Sequence, residues 1–254
     1  MMVSETTAPE LSIVVPVKDE AENLVPLIDE ICASLEGSNV GFEIVYVDDG
    51  STDATPALLA DLMAVRPELR AIRHRECRGQ SAAIATGVAA ARANLIATLD
   101  GDGQNDPADI PALLTRYREV SGQGVPALMI AGHRAMRKDI WLRRFSSSIA
   151  NGIRGAVLKD GTPDTGCGLK IFPREAFMAM PQFSHMHRFL PALMLRGGGL
   201  IETIQVSHRP RKRGASKYGV WNRLWVGITD LFGVMWLGRR PIRADAVVIE
   251  PASK

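Results

Sequence analysis

The sequence predicts an α/β fold, in which a Rossmann-like, mostly parallel central sheet is flanked by helices. Short apolar runs rich in β-branched residues alternate with longer segments of helical periodicity through the first half of the chain, which is typical of βαβ units. Right-handed crossovers between such strands build an open sheet. The 254 residues are 46% hydrophobic and 23% charged, which is enough apolar material for a real core.

The predicted elements follow one another in order through the first half. Strands are expected at residues 11–17, 42–47, 69–73, 95–99 and 127–131. Helices fit between them at residues 20–35, 53–65, 80–93 and 107–120, the last with a typical start at Asp106 and Pro107. Ligands of open α/β sheets bind beyond the carboxyl ends of the strands. The residues after each strand are therefore the first candidates for a site.

The pattern becomes less regular after Gly132. We expect a basic helix at 138–158, a glycine-rich turn at 160–168, strands at 169–172 and 200–206, and helices at 174–180 and 187–196. Residues 220–237 are apolar on most sides, but they fall short of the roughly 20 apolar residues of a spanning helix. This segment fits an amphipathic helix at a membrane interface and an ordinary core helix about equally well.

Composition and short motifs disfavour several classes of protein. The three cysteines, Cys32, Cys77 and Cys167, are too few for a disulfide scaffold and indicate a reducing compartment. The first ten residues are polar and acidic, so no secretory signal is expected. Neither a G-x-G-x-x-G nor a G-x-x-x-x-G-K-[ST] motif occurs, which disfavours NAD enzymes and P-loop NTPases.

Charge is divided unevenly along the chain. Residues 1–109 carry 19 acidic and 7 basic side chains, a balance of −12, whereas residues 133–223 carry 5 acidic and 17 basic ones, a balance of +12. An acidic half can hold metal ions, and a basic half can hold phosphates or face an anionic membrane. The plainer interpretation is that the two halves are solvated faces that happen to differ.

Asp100 and Asp102 flank a glycine after the fourth predicted strand, and Gln104 follows two residues later. Carboxylate and amide oxygens are the ligands that Mg²⁺ and Mn²⁺ prefer, so this segment is a candidate metal site. A turn whose aspartates accept hydrogen bonds from nearby amides is the alternative.

Asp48 and Asp49 end the second predicted strand, where carboxylates can accept hydrogen bonds from a ribose or a base. Pro16 and Glu20, after the first strand, could frame the flat base. Each pair would serve equally well as a turn with a helix cap.

At this point the motifs resemble those of the family 2 glycosyltransferases, which have the GT-A fold. The segments VPVKDEAENL, VDDGSTDAT and LDGDGQNDP, with Arg78-Gly79-Gln80 between the last two, have that family's order and spacing. Further along, DTGCGLKIFPREAF and PRKRGASKYG look like the branch of dolichol-phosphate mannosyltransferase and the bacterial polyprenyl-phosphate glycosyltransferases. The resemblance covers nearly all of residues 11–238.

The resemblance implies a role for each matching residue. The nucleotide sugar would be held by Pro16, Glu20, Asp48, Asp49, Gly79 and Asp100. The metal would be held by Asp100, Asp102 and Gln104, and catalysis would involve Asp102, Arg134 and Asp164. The lipid phosphate would be bound by Arg211, Ser216 and Lys217. Cys167 departs from the pattern, because many relatives have serine-glycine or an aromatic residue there.

The resemblance also implies a domain organisation. A flexible N-terminus of residues 1–10 would precede a GT-A catalytic domain of residues 11–218, with its nucleotide-sugar half at 11–132 and its acceptor half at 133–218. An interfacial or amphipathic helix would follow at 219–238, and a tail at 239–254.

The basic segment supports a phosphate acceptor independently of the family. Arg209, Arg211, Lys212, Arg213 and Lys217, with the Ser216 hydroxyl, concentrate donors where an anionic head group could dock. A solvated loop or a nucleic-acid patch is the alternative. Nucleic acid is disfavoured because the neighbouring aromatic residues lead into an apolar helix instead of alternating along a groove.

These observations predict an inverting, Mg²⁺- or Mn²⁺-dependent enzyme that moves a sugar from a UDP- or GDP-linked donor to a polyprenyl phosphate. We expect it to be peripheral on the cytoplasmic face of the membrane, with a homo-oligomer or a membrane-protein partner left open. The alternatives are transfer to a saccharide or protein acceptor, and a non-catalytic module that binds anionic lipid. The predicted transfer requires that the aspartate pair and the basic segment line one shared cleft.

Overall fold

The computed structural model describes residues 8–122, 124–125, 127–134, 158, 161–210 and 220–240, with side chains of the last segment described from residue 229. Its strands are β1 (Leu11–Val17), β2 (Phe42–Asp48), β3 (Leu69–Arg73), β4 (Leu95–Thr98), β5 (Leu128–His133), β6 (Lys170–Pro173) and β7 (Leu200–Gln205). They form one seven-stranded sheet in the order β3-β2-β1-β4-β6-β5-β7. The predicted α/β class with a mostly parallel sheet is confirmed.

Only β6 runs against its neighbours among the described strands. It pairs antiparallel with β4 and with β5, and the other neighbouring pairs are parallel. Consequently β1, β2, β4 and β5 all end at one edge of the sheet, and β6 begins there. The antiparallel partner brings Lys170 opposite Thr98, at the edge where the predicted site residues lie.

Helices cover both faces of the sheet. They are α1 (Ala21–Leu35), α2 (Thr55–Val65), α3 (Gln80–Ala90), α4 (Ile110–Ser121), α5 (Arg174–Met178), α6 (Leu190–Arg196) and α7 (Val220–Gly238), with 3₁₀ turns at Pro107–Asp109 and Met186–Arg188. Asp106 accepts a hydrogen bond from the amide of Ala108 at 3.0 Å, which confirms the predicted cap. The predicted helix at 187–196 begins instead at Leu190, because a 3₁₀ turn precedes it.

The core consists of two apolar layers, one on each side of the sheet. Ile13 and Val15 of β1 face the layer formed with α1, α2 and α4, while Val14 faces the layer formed with α3, α5 and α6. Strands buried on both faces read as continuous apolar runs, as β1 and β2 do. This double packing holds the strand ends in fixed positions. The predicted basic helix at 138–158 lies outside the described residues, apart from Leu158.

Candidate active site

A cleft of about 370 Å³ opens at the edge where β1, β2 and β4 end. Its walls come from three parts of the chain: the ends of the parallel strands, the first turns of α3, and the segment around the start of β6 with the 3₁₀ turn at Met186–Arg188. The lining includes five of the predicted site residues, which are Pro16, Glu20, Asp49, Asp100 and Asp102. The other predicted residues that the structure describes do not line it.

Asp49 organises the rim of the cleft at the end of β2. Its carboxylate accepts hydrogen bonds from the amides of Arg78 at 2.7 Å and Gly79 at 2.8 Å, and from the His74 ring at 2.8 Å. Burial acts to raise its pKa, but these hydrogen bonds together hold the pKa below its usual value. Asp49 therefore stays ionised and anchors the loop that precedes α3.

Two glycines of this rim have left-handed backbones. Gly50 has φ +69°, and a Cβ there would lie 2.7 Å from the amide nitrogen of Cys77. Gly79 has φ +89° and is the N-cap residue of α3. Gly79 turns the chain into α3 and donates its amide to Asp49, and its predicted role in nucleotide binding stays a prediction.

Asp48 lies behind the rim instead of in the cleft. It is 1% exposed, and its Oδ1 accepts the amide hydrogen of Ser51 at 2.9 Å. Its Oδ2 lies 3.1 Å from Nε of Arg73. Of the two aspartates after β2, only Asp49 lines the cleft.

Asp100 and Asp102 lie on the loop after β4 and both line the cleft. Oδ1 of Asp100 accepts a hydrogen bond from the Gln80 side chain at 2.8 Å. Burial, with the nearby charge of Asp102, raises the pKa of Asp100 to about 6. The charge of Asp102 is therefore close enough to oppose the ionisation of Asp100.

The loop that carries Asp100 and Asp102, here called the aspartate loop, packs closely against two other parts of the chain through glycines. A Cβ on Gly168 would lie 2.2 Å from Oδ2 of Asp100, and one on Gly101 would lie 2.3 Å from Cγ1 of Val17. Neither site can take a larger residue without movement of its neighbour. The glycine before β6 is thus required by the position of the Asp100 carboxylate.

The donor set at this loop fits a divalent cation. Two hard carboxylates face one cleft, and a cation held by them would offset the burial and the repulsion that raise the pKa of Asp100. Within the described ranges no cluster of three or more His, Cys, Asp or Glu side chains forms a complete metal cage. Gln104 does not line the cleft. The backbone amide of Gln104 donates a hydrogen bond to Oδ1 of Asp102 at 3.1 Å, and this bond shapes the loop.

Arg134 and Asp164 form a bidentate ion pair behind the cleft wall. Nε of Arg134 lies 2.6 Å from Oδ2 of Asp164, and Nη2 lies 2.7 Å from Oδ1. The pKa of Arg134 is raised chiefly by the hydrogen bonds to Asp164. Gly166 lies against this pair, since a Cβ there would be 3.3 Å from Nη2 of Arg134. Gly166 also lines the cleft.

The start of the basic segment lies against the aspartate loop. The amide of Arg209 donates to the carbonyl of Gln104 at 3.0 Å, and His208 forms an antiparallel bridge with Asn105. The Arg209 guanidinium is paired with Asp106 at 2.6 Å and Glu30 at 2.7 Å. Arg209 therefore fastens the start of the segment to the aspartate loop and to α1. Arg211, Ser216 and Lys217 lie outside the described residues.

Helix α7 packs on α6 and leaves an aromatic face exposed. Val234 is buried in the second core layer, whereas Phe232 and Trp236 are 60% and 56% exposed. Arg240 lies 5.4 Å above the Trp236 ring. Over the described part of the chain, no helix combines the length and apolar character needed to cross a bilayer.

The family model of glycosyl transferase family 2 matches residues 12–180. The chain belongs to this family. It is 37% identical over 242 residues to a dodecaprenyl-phosphate galacturonate synthase of Rhizobium johnstonii, covering 92% of this chain and 69% of that protein. It is also 32% identical over 239 residues to an undecaprenyl-phosphate 4-deoxy-4-formamido-L-arabinose transferase of Edwardsiella ictaluri, covering 93% of this chain and 70% of that protein.

A solved structure has the same fold as this glycosyltransferase. Glucosyl-3-phosphoglycerate synthase of Mycobacterium tuberculosis, in complex with Mn²⁺, UDP-glucose and phosphoglyceric acid, superposes with a TM-score of 0.65. The match covers 92% of this chain and 81% of that chain at 15% identity. At that identity the similarity supports the GT-A fold alone.

Sequence reasoning about this glycosyltransferase missed one wall of the cleft. Lys170, His187 and Arg188 line it, and none was singled out as a site residue. The Lys170 ammonium is buried and donates to the carbonyls of Thr165, at 3.3 Å, and Cys167. Burial lowers its pKa. The antiparallel pairing of β6 with β4 places Lys170 at the edge where β4 ends, and no local sequence signal reveals that pairing.

Proposed function

We propose that the chain transfers a sugar, with inversion at the anomeric carbon, from a UDP- or GDP-linked donor to a polyprenyl phosphate. The observation that carries the proposal is the contact between the aspartate loop and the basic segment, where the Arg209 amide lies 3.0 Å from the Gln104 carbonyl. A donor at the aspartates would therefore lie close to Arg209, from which the chain continues into the basic residues proposed for the acceptor. The names of the two relatives, which transfer sugars to dodecaprenyl and undecaprenyl phosphates, support this acceptor.

The strand ends support one orientation of the donor. Pro16, Glu20 and Asp49 line the cleft beside β1 and β2, and we place the nucleoside there. Asp100 and Asp102 follow at the end of β4, where the diphosphate would lie. The sugar then extends towards the start of β6 and the 3₁₀ turn at Met186–Arg188.

Asp100 and Asp102 would hold Mg²⁺ or Mn²⁺, with Gln104 shaping the loop that carries them. When bound, such an ion neutralises negative charge on a leaving diphosphate. Crystal structures of the Mycobacterium tuberculosis synthase contain Mn²⁺ or Mg²⁺ together with UDP, which supports this assignment. Arg134, held by Asp164, would add positive charge close to the same wall.

The acceptor phosphate would be bound by Arg211, Ser216 and Lys217. A phosphate monoester is already anionic near neutral pH, so its oxygen attacks without a general base. Correct placement opposite the leaving diphosphate then supplies much of the acceleration. Asp164 is occupied by Arg134 on both oxygens, which suits it for positioning that arginine and leaves it poorly placed to take a proton.

The exposed face of α7 would rest in lipid head groups at the cytoplasmic side of the membrane. Phe232 and Trp236 provide apolar surface, and Arg239 and Arg240 provide positive charge at the end of the helix. Aromatic and cationic side chains in this arrangement favour the interface of an anionic bilayer. The basic segment, proposed to bind the acceptor, directly precedes this helix in sequence.

The test is a transfer assay with purified protein, Mn²⁺, a panel of UDP- and GDP-sugars, and undecaprenyl phosphate in detergent. We expect a sugar-linked lipid product from one donor, and loss of acceptor use in the double variant Arg211→Ala/Lys217→Ala. The matched control is Arg66→Ala, because Arg66 is remote from the cleft and pairs with Asp29. Transfer to water or saccharides at the same rate without the lipid would overturn the proposal.

A further inference from the structure

A hydrogen-bonded pair joins α3 to the cleft-lining 3₁₀ turn at Met186–Arg188, and the proposed reaction does not use it. Oγ of Ser81, on the first turn of α3, lies 2.7 Å from Nδ1 of His187. The backbone amide of His187 also donates to this oxygen, at 3.2 Å. Ser81 is 5% exposed, so its hydroxyl has little access to water.

The hydrogen bonds of the Ser81 hydroxyl favour one tautomer of His187. The serine oxygen already accepts a hydrogen bond from the His187 amide, and its own hydrogen needs an acceptor. Among the described residues, the only acceptor that the hydroxyl reaches is Nδ1 of His187. If Ser81 donates to Nδ1, both hydrogen bonds at its oxygen are satisfied and the ring hydrogen lies on Nε2.

The environment of His187 keeps the ring neutral. Burial and the positive charges of Arg188, Lys170 and His185 lower the pKa of His187 to about 3. The carboxylates that line the same cleft are those of Glu20, Asp49, Asp100 and Asp102, and none of them is among the groups that shift the pKa of His187. Over the part of the chain that the structure describes, Nε2 has no hydrogen-bond partner, yet it is not sealed from solvent.

We propose that Ser81 holds His187 as the Nε2–H tautomer so that Nε2 donates a hydrogen bond to an oxygen of the transferred sugar. His187 is then a sugar-binding residue, and Ser81 is a positioning residue that acts through it. The nucleoside, diphosphate and sugar of the donor are linked in that order. We place the nucleoside at the ends of β1 and β2 and the diphosphate at the end of β4, so the sugar lies near the start of β6 and His187. This step rests on the proposed function for the orientation of the donor.

A donor of this kind suits a sugar better than it suits the acceptor phosphate. Sugar hydroxyls are neutral, and a neutral donor of fixed direction selects among them by geometry. A phosphate is bound more strongly by cations, which the same wall provides in Lys170 and Arg188. With its hydrogen on Nε2, the ring also presents no lone pair to the cleft and does not act as a base there.

The first test is NMR of the full chain labelled with ¹⁵N at histidine. We expect a spectrum of His187 in which Nε2 bears the hydrogen and which stays unchanged between pH 6 and pH 8, as expected for a pKa of about 3. In Ser81→Ala, the tautomers should mix. Hydrogen on Nδ1 in the wild type, or titration near pH 6.5, would overturn the proposal.

The second test compares binding of UDP with that of UDP-galacturonic acid, and of GDP with that of GDP-mannose, in Mn²⁺. His187→Ala should weaken binding of the sugar nucleotide that the wild type prefers by about tenfold, and leave binding of the free nucleotide unchanged. His187→Gln should restore binding, because the glutamine amide nitrogen lies as many bonds from Cβ as Nε2 does. His187→Asn, whose nitrogen matches Nδ1, is the paired control and should not.

The outcomes separate the two proposals. Equal weakening for nucleotide and sugar nucleotide, or equal rescue by Gln and Asn, would overturn the sugar contact, provided that thermal melting shows the variants to be folded. If the wild type binds donors but ignores the lipid acceptor, the proposed function fails and the sugar contact stands. If no sugar nucleotide binds, both fail, and the NMR result still decides the tautomer.

Discussion

Arg134 and Asp164 face each other with two parallel hydrogen bonds, of 2.6 Å and 2.7 Å, although thirty residues separate them in sequence. Their side chains are only 10% and 16% exposed. When either member of a buried ion pair is removed, the charge of the other member is left without compensation. The pair therefore joins the end of β5 to the loop before β6 and supports the wall of the cleft.

Asp164→Ala should lower the free energy of unfolding by about 2–3 kcal/mol, because Arg134 is left without its partner. Urea unfolding monitored by circular dichroism measures this loss. The double variant Arg134→Met/Asp164→Leu should regain part of it while remaining inactive. Equal stability of Asp164→Ala and the wild type would show that solvent already screens the pair.

Asp102→Asn should reduce turnover by at least about a hundredfold, since the carboxylate proposed to hold the metal is lost. The melting temperature without ligand should stay close to that of the wild type, because Asp102 is partly exposed on a loop. Rates of product formation with Mn²⁺, and after addition of EDTA, provide the measurement. Near-normal activity in excess chelator would contradict the metal assignment.

Gly168→Ala should displace the Asp100 carboxylate, because the new Cβ would lie 2.2 Å from Oδ2 of Asp100. We expect donor binding to weaken at least about tenfold, since a displacement of this size disrupts a positioned site. Gly122→Ala is the matched control. Its Cβ would lie 3.6 Å from the carbonyl of Arg118, an ordinary contact. Isothermal titration with UDP and Mn²⁺ compares the two variants, and equal affinities would contradict the argument.

Protonation of the Glu43 carboxylate should make the folded protein less stable in acid. Its buried carboxylate accepts from the Ser12 hydroxyl at 2.6 Å, the Arg92 amide at 2.6 Å and the Arg70 guanidinium at 2.8 Å. Burial acts to raise its pKa, but these bonds outweigh burial and lower the pKa. The stabilisation is therefore present above the unfolded-state pKa of about 4.3 and is lost as pH falls through the lower folded-state value.

Glu43→Gln should accordingly cost about 2 kcal/mol at pH 7 and flatten the decline in stability below pH 5. Glu36→Gln, at an exposed position after α1, is the control and should change neither quantity. Denaturant midpoints at several pH values give the comparison. A parallel acid profile for Glu43→Gln and the wild type would remove Glu43 as the cause.

Phe232→Ser/Trp236→Ser should weaken binding to vesicles of phosphatidylglycerol and phosphatidylcholine by at least about tenfold, because two exposed aromatic rings would no longer enter the interface. Activity towards a short-chain, water-soluble prenyl phosphate should be retained. Met63→Ser/Val65→Ser removes exposed apolar surface at the end of α2 and serves as the control. Equal vesicle binding by both double variants would exclude α7 as the membrane-facing surface.

By itself the sequence determined the class of fold, the limits of most strands, and the acidic residues at the ends of β1, β2 and β4. These are local properties: strand periodicity and breaking turns depend on neighbouring residues, and parallel strands must end at one edge. Asp49 and Asp100 could be placed at the cleft for that reason.

Tertiary structure decided which groups meet there. The antiparallel course of β6 brings Lys170 beside Asp100, the 3₁₀ turn before α6 brings His187 onto Ser81, and the chain after β7 brings Arg209 onto Asp106. Each of these pairs joins residues at least 70 positions apart in sequence. Such contacts depend on strand order and helix packing, and no local pattern in the chain encodes them.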